Sequence, residues 1–149
     1  MGGVLTRWSV GQDRTVSPEE CGPDGLVTPQ TLGAWVDAAV QAYLDQCRAL
    51  TRQAVDGGLT LNRQPGRLPK SSLLGQPTDV LVTASATEVR PAEFVISIRV
   101  RPFGGDMDLP LNVTCLVFLE DPYSGDKAPL DTAVRDELIA LEHAAHHMN

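Results

Sequence analysis

The chain has 149 residues, 42% of them hydrophobic and 21% charged, an ordinary globular balance for one domain over 1–149. A net charge of −7 with 12 basic residues and no basic block disfavours nucleic acid as a partner. No run approaches the ~18 apolar residues of a membrane span, so no membrane partner is expected. Cys21, Cys47 and Cys115 fit neither a disulfide framework nor a zinc spacing, and a reducing cytoplasm is the expected compartment.

The first residues lack a long apolar run and do not read as a signal peptide, although Met1-Gly2 with Thr6 satisfies the short myristoylation pattern. Residues 5–16 read as a first strand with Trp8 and Val10 as its bulkier members, and 17–28 as a loop punctuated by two prolines and two glycines. Thr28 is placed as an N-cap and Pro29 as the first helical residue, where a missing N–H costs nothing. A long helix follows to about Val55, stopped by Asp56-Gly57-Gly58. Its apolar stripe is Leu32, Trp35, Val36, Ala39, Val40, Tyr43, Leu44 and Cys47, at the 3.6-residue period, with Asp37 at the edge.

Beyond the helix, 59–61 reads as a short strand and 62–78 as a loop rich in Pro and Gly. Residues 79–90, 93–103 and 111–120 read as three strands. The middle one puts Phe94, Ile96, Ile98 and Val100 on one face and Ser97, Arg99 and Arg101 on the other. A polar loop, 122–130, leads to a C-terminal helix over 131–147. The order is β, long α, three β, closing α, an α+β architecture with an antiparallel sheet wrapped around one central helix.

In this layout, and in Glu20-Cys21-Gly22-Pro23-Asp24-Gly25-Leu26-Val27, Trp35-Val36-Asp37-Ala38-Ala39 and Ser124 to Leu130, the chain resembles the hot-dog thioesterase superfamily, its 4-hydroxybenzoyl-CoA thioesterase-like branch in particular. The resemblance implies hydrolysis of an acyl-CoA or acyl-carrier-protein thioester, with no cofactor beyond the coenzyme A of the substrate. It also implies a homodimer or homotetramer, because sites of this family usually form between subunits. Such chemistry needs a carboxylate, as general base or nucleophile, and a donor for the developing oxyanion. In one branch the acid lies in the loop, at the place held here by Gly22, with Glu20 and Asp24 the nearest carboxylates. In another it lies inside the helix, where Asp37 stands. The backbone donor expected at the helix start falls on Pro29, which has no N–H, so a one-residue slip would offer Gln30 or Thr28 instead. Gly25 and Val27 of the loop, Trp35 and Gln41 of the helix, and Arg99 and Arg101, facing CoA phosphates, complete the expected substrate contacts. The acyl tunnel is expected beside Trp35, Val36, Val40 and Phe94.

Two rival readings keep the outline: a catalytically silent acyl-thioester-binding hot-dog protein, suggested by Gly22 and Pro29, and a cystatin-like α+β binding domain. Ser71 and Ser72 are weaker site candidates. His143 and His147 share a helix face at a metal-capable spacing, but at the end of the chain they read as an exposed tail, and no metal is expected. No Ser-His-Asp order or phosphate loop occurs.

Overall fold

The computed structural model describes residues 10–68, 79–102 and 111–147. The myristoylation pattern, Trp8, Ser71, Ser72 and the turn at 103–110 lie outside the described residues, as do the side chains of His146 and His147. Five strands, β1 (Val10–Thr15), β2 (Thr60–Pro65), β3 (Asp79–Val89), β4 (Phe94–Pro102) and β5 (Leu111–Glu120), form one antiparallel sheet in the order β1-β3-β4-β5-β2. Helices α1 (Pro29–Leu44), α2 (Arg48–Gly57) and α3 (Thr132–His147) are the α-helices among the described residues.

Alternation in the strands decides which face of the sheet α1 covers. Phe94, Ile96, Ile98 and Val100 of β4, Val113, Cys115, Val117 and Leu119 of β5, and Val80, Val82 and Ala84 of β3 are all buried and share one face. Against them pack Leu32, Trp35, Val36, Ala39, Val40 and Tyr43, the stripe expected from the period. α1 lies over β1, β3 and β4, whereas β2 at the far edge meets α2. That offset leaves a gap between α1 and the β5–β2 edge.

Two elements differ from expectation. The long helix breaks after Leu44: Gln46 N donates to the Tyr43 carbonyl and Cys47 N to the Leu44 carbonyl, and Cys47 leaves helical geometry at φ −92° and ψ 71°. The break re-aims the chain so that Leu50 is fully buried and the Ala49 amide meets Glu137 of α3 at 2.9 Å. No Gly or Pro marks it in the sequence. The strand expected at 59–61 instead pairs through six residues with β5, from Thr60 opposite Glu120 to Pro65 opposite Cys115. Asn62-Arg63-Gln64 is too polar to show an apolar alternation, because an edge strand buries only part of itself.

Candidate functional site

The gap between α1 and the β2 edge is a cavity of about 390 Å³. On α1, Gly33, Val36, Asp37 and Val40 line it, positions i, i+3, i+4 and i+7 that share one flank of a helix. Opposite stand Arg63, Pro65, Gly66 and Leu68, with Cys115 of β5 below. Arg63 and Pro65 sit two residues apart on β2 and so face the same side, toward α1. Among the described residues, the wall is apolar apart from Asp37, Arg63 and the Cys115 thiol.

Two helical residues hold the Arg63 guanidinium. Its Nη2 lies 3.2 Å from Asp37 Oδ1, and its Nη1 donates to Gln41 Oε1 at 3.1 Å. Gln41 in turn donates through Nε2 to Asp45 Oδ1 at 2.8 Å. The Asp37 side chain is 66% exposed and that of Arg63 33%, so the pair sits at the cavity mouth. An ion pair so exposed contributes only about 0.2–1 kcal/mol to stability. Burial pushes the Cys115 thiol up from its ordinary range; Arg63 opposes that shift and Asp37 adds to it. The thiol therefore stays protonated and serves as wall rather than nucleophile.

The acids of the loop are engaged elsewhere. Glu20 Oε1 accepts from Ser17 N at 2.9 Å and from Ser17 Oγ at 3.2 Å, a capping box around the short turn Pro18–Glu20. Asp24 Oδ1 accepts from Leu26 N at 3.0 Å, and Gly25 takes a positive φ of 80° to close that turn. Val27 is buried and bridges to Cys21. None of these residues lines the cavity.

At the helix start, Thr28 Oγ1 accepts from Thr31 N at 3.2 Å and the Thr28 carbonyl from Leu32 N at 3.0 Å. Pro29 has no N–H, so Gln30 supplies the amide that points out of the helix end. The lining of the cavity begins at Gly33, almost a turn further on.

The structure thus brings Asp37 and Gln41 together through Arg63, a residue that the sequence placed in a loop. It sends other candidates away from the cavity. Trp35 is 2% exposed and packs into the core, as does Phe94, so of the expected tunnel only Val36 and Val40 line the gap. Arg99 is exposed on the face of β4 opposite the core, and Arg101, two residues on, shares that face. His143 is exposed near the end of β3, and no cluster of metal-ligating side chains occurs among the described residues.

No family model matches the chain, and no curated protein does. Solved structures do. A 1,4-dihydroxy-2-naphthoyl-CoA thioesterase from Synechocystis superposes with a TM-score of 0.62 at 14% identity, over 89% of this chain and 97% of its own. A thioesterase from Thermus thermophilus, solved with coenzyme A and zinc, gives 0.62 at 18%, over 93% and 98%. The 4-hydroxybenzoyl-CoA thioesterase of a Pseudomonas species gives 0.57 at 16%, over 86% and 97%. The cystatin-like outline gives way to this likeness: the chain has the hot-dog fold.

Proposed function

We propose that this chain is a thioesterase that hydrolyses an acyl-CoA or acyl-carrier-protein thioester, with Asp37 as the general base. The observation that carries the reading is a carboxylate and a guanidinium 3.2 Å apart at the mouth of a cavity that is otherwise apolar among the described residues of a hot-dog domain. An apolar cleft with a few convergent polar groups is the usual form of a small-molecule site. The acyl group would lie along Val36, Val40 and Leu68, with its thioester carbon at Asp37. Solved hot-dog proteins named for CoA thioesters support the substrate class. No cofactor is needed beyond the coenzyme A of the substrate.

A homo-oligomer, dimer or tetramer, completes the reading. β2 is an edge strand bearing the cavity's guanidinium, and an outward-facing strand edge invites pairing with a second copy. Arg99 and Arg101, on the far face of the sheet, would meet CoA phosphates only across such a subunit boundary. The buried thiols of Cys47 and Cys115 suit a reducing compartment, the cytoplasm in this reading. Separately, no helix among the described residues is long and apolar enough to cross a membrane.

Thiol release from short, long and aromatic acyl-CoAs, with wild type beside Asp37→Ala, tests the proposal. The expected result is turnover that falls ~100-fold or more in the variant, the usual scale of a lost general base. Turnover that survives moves the chemistry away from Asp37. The second reading, an acyl-thioester-binding protein without turnover, is favoured by Pro29 at the first helical position. Tight CoA binding with no thiol released from any substrate would establish it.

A further inference from the structure

We propose that Arg63 is a catalytic residue of the same site: its guanidinium, rather than the helix start, receives the negative charge of the thioester oxygen. The inference rests on the thioesterase reading above and deepens it.

Hydrolysis adds water oxygen to the thioester carbon, and the carbonyl π pair moves onto oxygen. Asp37 takes the proton of the attacking water. When the C=O bond re-forms, the C–S bond breaks, and the thiolate leaves with the proton that Asp37 carries. The products are a carboxylic acid and a thiol, and Asp37 is again a carboxylate. The barrier depends on what meets the oxyanion between the two halves of this step.

At the helix start, donors are few. Pro29 has no N–H, Thr31 and Leu32 donate to Thr28, and Gln30 does not line the cavity. Arg63 does line it, and it is the cationic side chain there among the described residues. A guanidinium carries five N–H donors, of which one is given to Gln41, while Asp37 lies beside it as an ion-pair partner. The others remain for a substrate oxygen beside the carboxylate, so base and charge acceptor address one carbon from adjacent positions.

The donor is also held before substrate arrives. Arg63 belongs to a paired strand, opposite Val117, and Gln41 is itself braced by Asp45. A charge already held in place when substrate binds needs little reorganisation as the oxyanion forms, which is where such groups gain their effect.

The test compares wild type, Arg63→Met, Arg63→Lys and Arg63→Ala on the best acyl-CoA of the panel, with thermal melts to certify folding. Loss of one oxyanion donor typically costs ~10²–10³ in kcat, and Arg63→Met is expected to show that with KM changed less than about threefold. Lysine retains the charge without the fork and is expected to fall between. Added guanidinium is expected to restore part of the Arg63→Ala turnover. Active wild type with kcat of Arg63→Met within about threefold overturns the assignment and leaves the thioesterase reading standing. A rise in KM at unchanged kcat overturns it too, since Arg63 would then hold a ground-state anion. Wild type inactive on every substrate overturns both.

Discussion

The Tyr43 hydroxyl of α1 donates to Glu142 Oε2 of α3 at 2.6 Å, tying the central helix to the last one. The same carboxylate accepts from Ser85 Oγ at 2.8 Å and from Ala86 N at 3.0 Å, where β3 shifts register between Ala86 and Glu88. One side chain therefore joins α1, α3 and a backbone amide of β3. Glu142→Gln keeps the size but replaces an acceptor oxygen with a donor among groups that donate. The expected loss is about 1–3 kcal/mol, read from urea unfolding. Tyr43→Phe is expected to lose about 1 kcal/mol, and the double variant less than the sum of the two.

Cys47, 1% exposed, sets an alkaline limit on stability. Burial, and then the charges of Glu137 and Glu142, push its thiol from 9.0 up to about 12. Below pH 9 both folded and unfolded chains keep the proton, so the contribution is fully present. Between 9 and 12 only the unfolded chain gives it up, and unfolding free energy falls as pH rises. The slope approaches about 1.4 kcal/mol per pH unit for one such group. Burial, then Glu142, likewise raise the Tyr43 hydroxyl, which adds to the slope above pH 10. Urea midpoints at pH 8, 9 and 10 check this, and Cys47→Ala is expected to flatten the fall between 9 and 10.

The loop acids are expected to matter for folding more than for turnover. Glu20 closes the capping box with Ser17, and Asp24 closes the turn onto Leu26. Glu20→Gln should cost about 1 kcal/mol or less, and Asp24→Asn less still, because an asparagine oxygen accepts the same bond. Thiol release by either variant is expected within about threefold of wild type. A larger fall in Asp24→Asn, with folding intact, would bring the loop into the chemistry.

The legible parts of the sequence were those that a local period reports. The stripe from Leu32 to Cys47 is buried as its spacing requires, and β4 alternates as written. The place of Arg63 was not legible, because its pairing with Asp37 at the cavity depends on an edge strand with no apolar rhythm and on a partner in another element. The turn at Gln46 was not either, since long-range packing of Leu50 decides it. Trp35 lies off this cavity for a geometric reason: one residue turns 100° on a helix, so its neighbour Val36 reaches the cavity flank while Trp35 points into the core.

Gly33 lets stability and the proposed substrate choice be tested at one position. It is half-buried in α1 and lines the cavity, and a Cβ there would meet Leu68 Cδ1 at 3.6 Å, an ordinary contact. Alanine in place of glycine inside a helix gains roughly 0.5–1 kcal/mol, because the unfolded chain has less freedom to lose. Gly33→Ala is therefore expected to raise the melting temperature. Gly66 differs: a Cβ there would come 3.1 Å from the Thr114 carbonyl oxygen, so its alanine variant is expected to be less stable than wild type. The methyl of Gly33→Ala also enters the cavity one turn before Asp37, beside the place where the acyl group would bend toward the base. Wide aromatic acyl-CoAs should lose kcat/KM more than straight short chains, by about 1–3 kcal/mol of discrimination at most, the worth of one methyl-sized group in such a site. Melting curves and kcat/KM on an aromatic and a short-chain substrate check both halves. A more stable variant with unchanged substrate preference would place the acyl group away from the α1 flank.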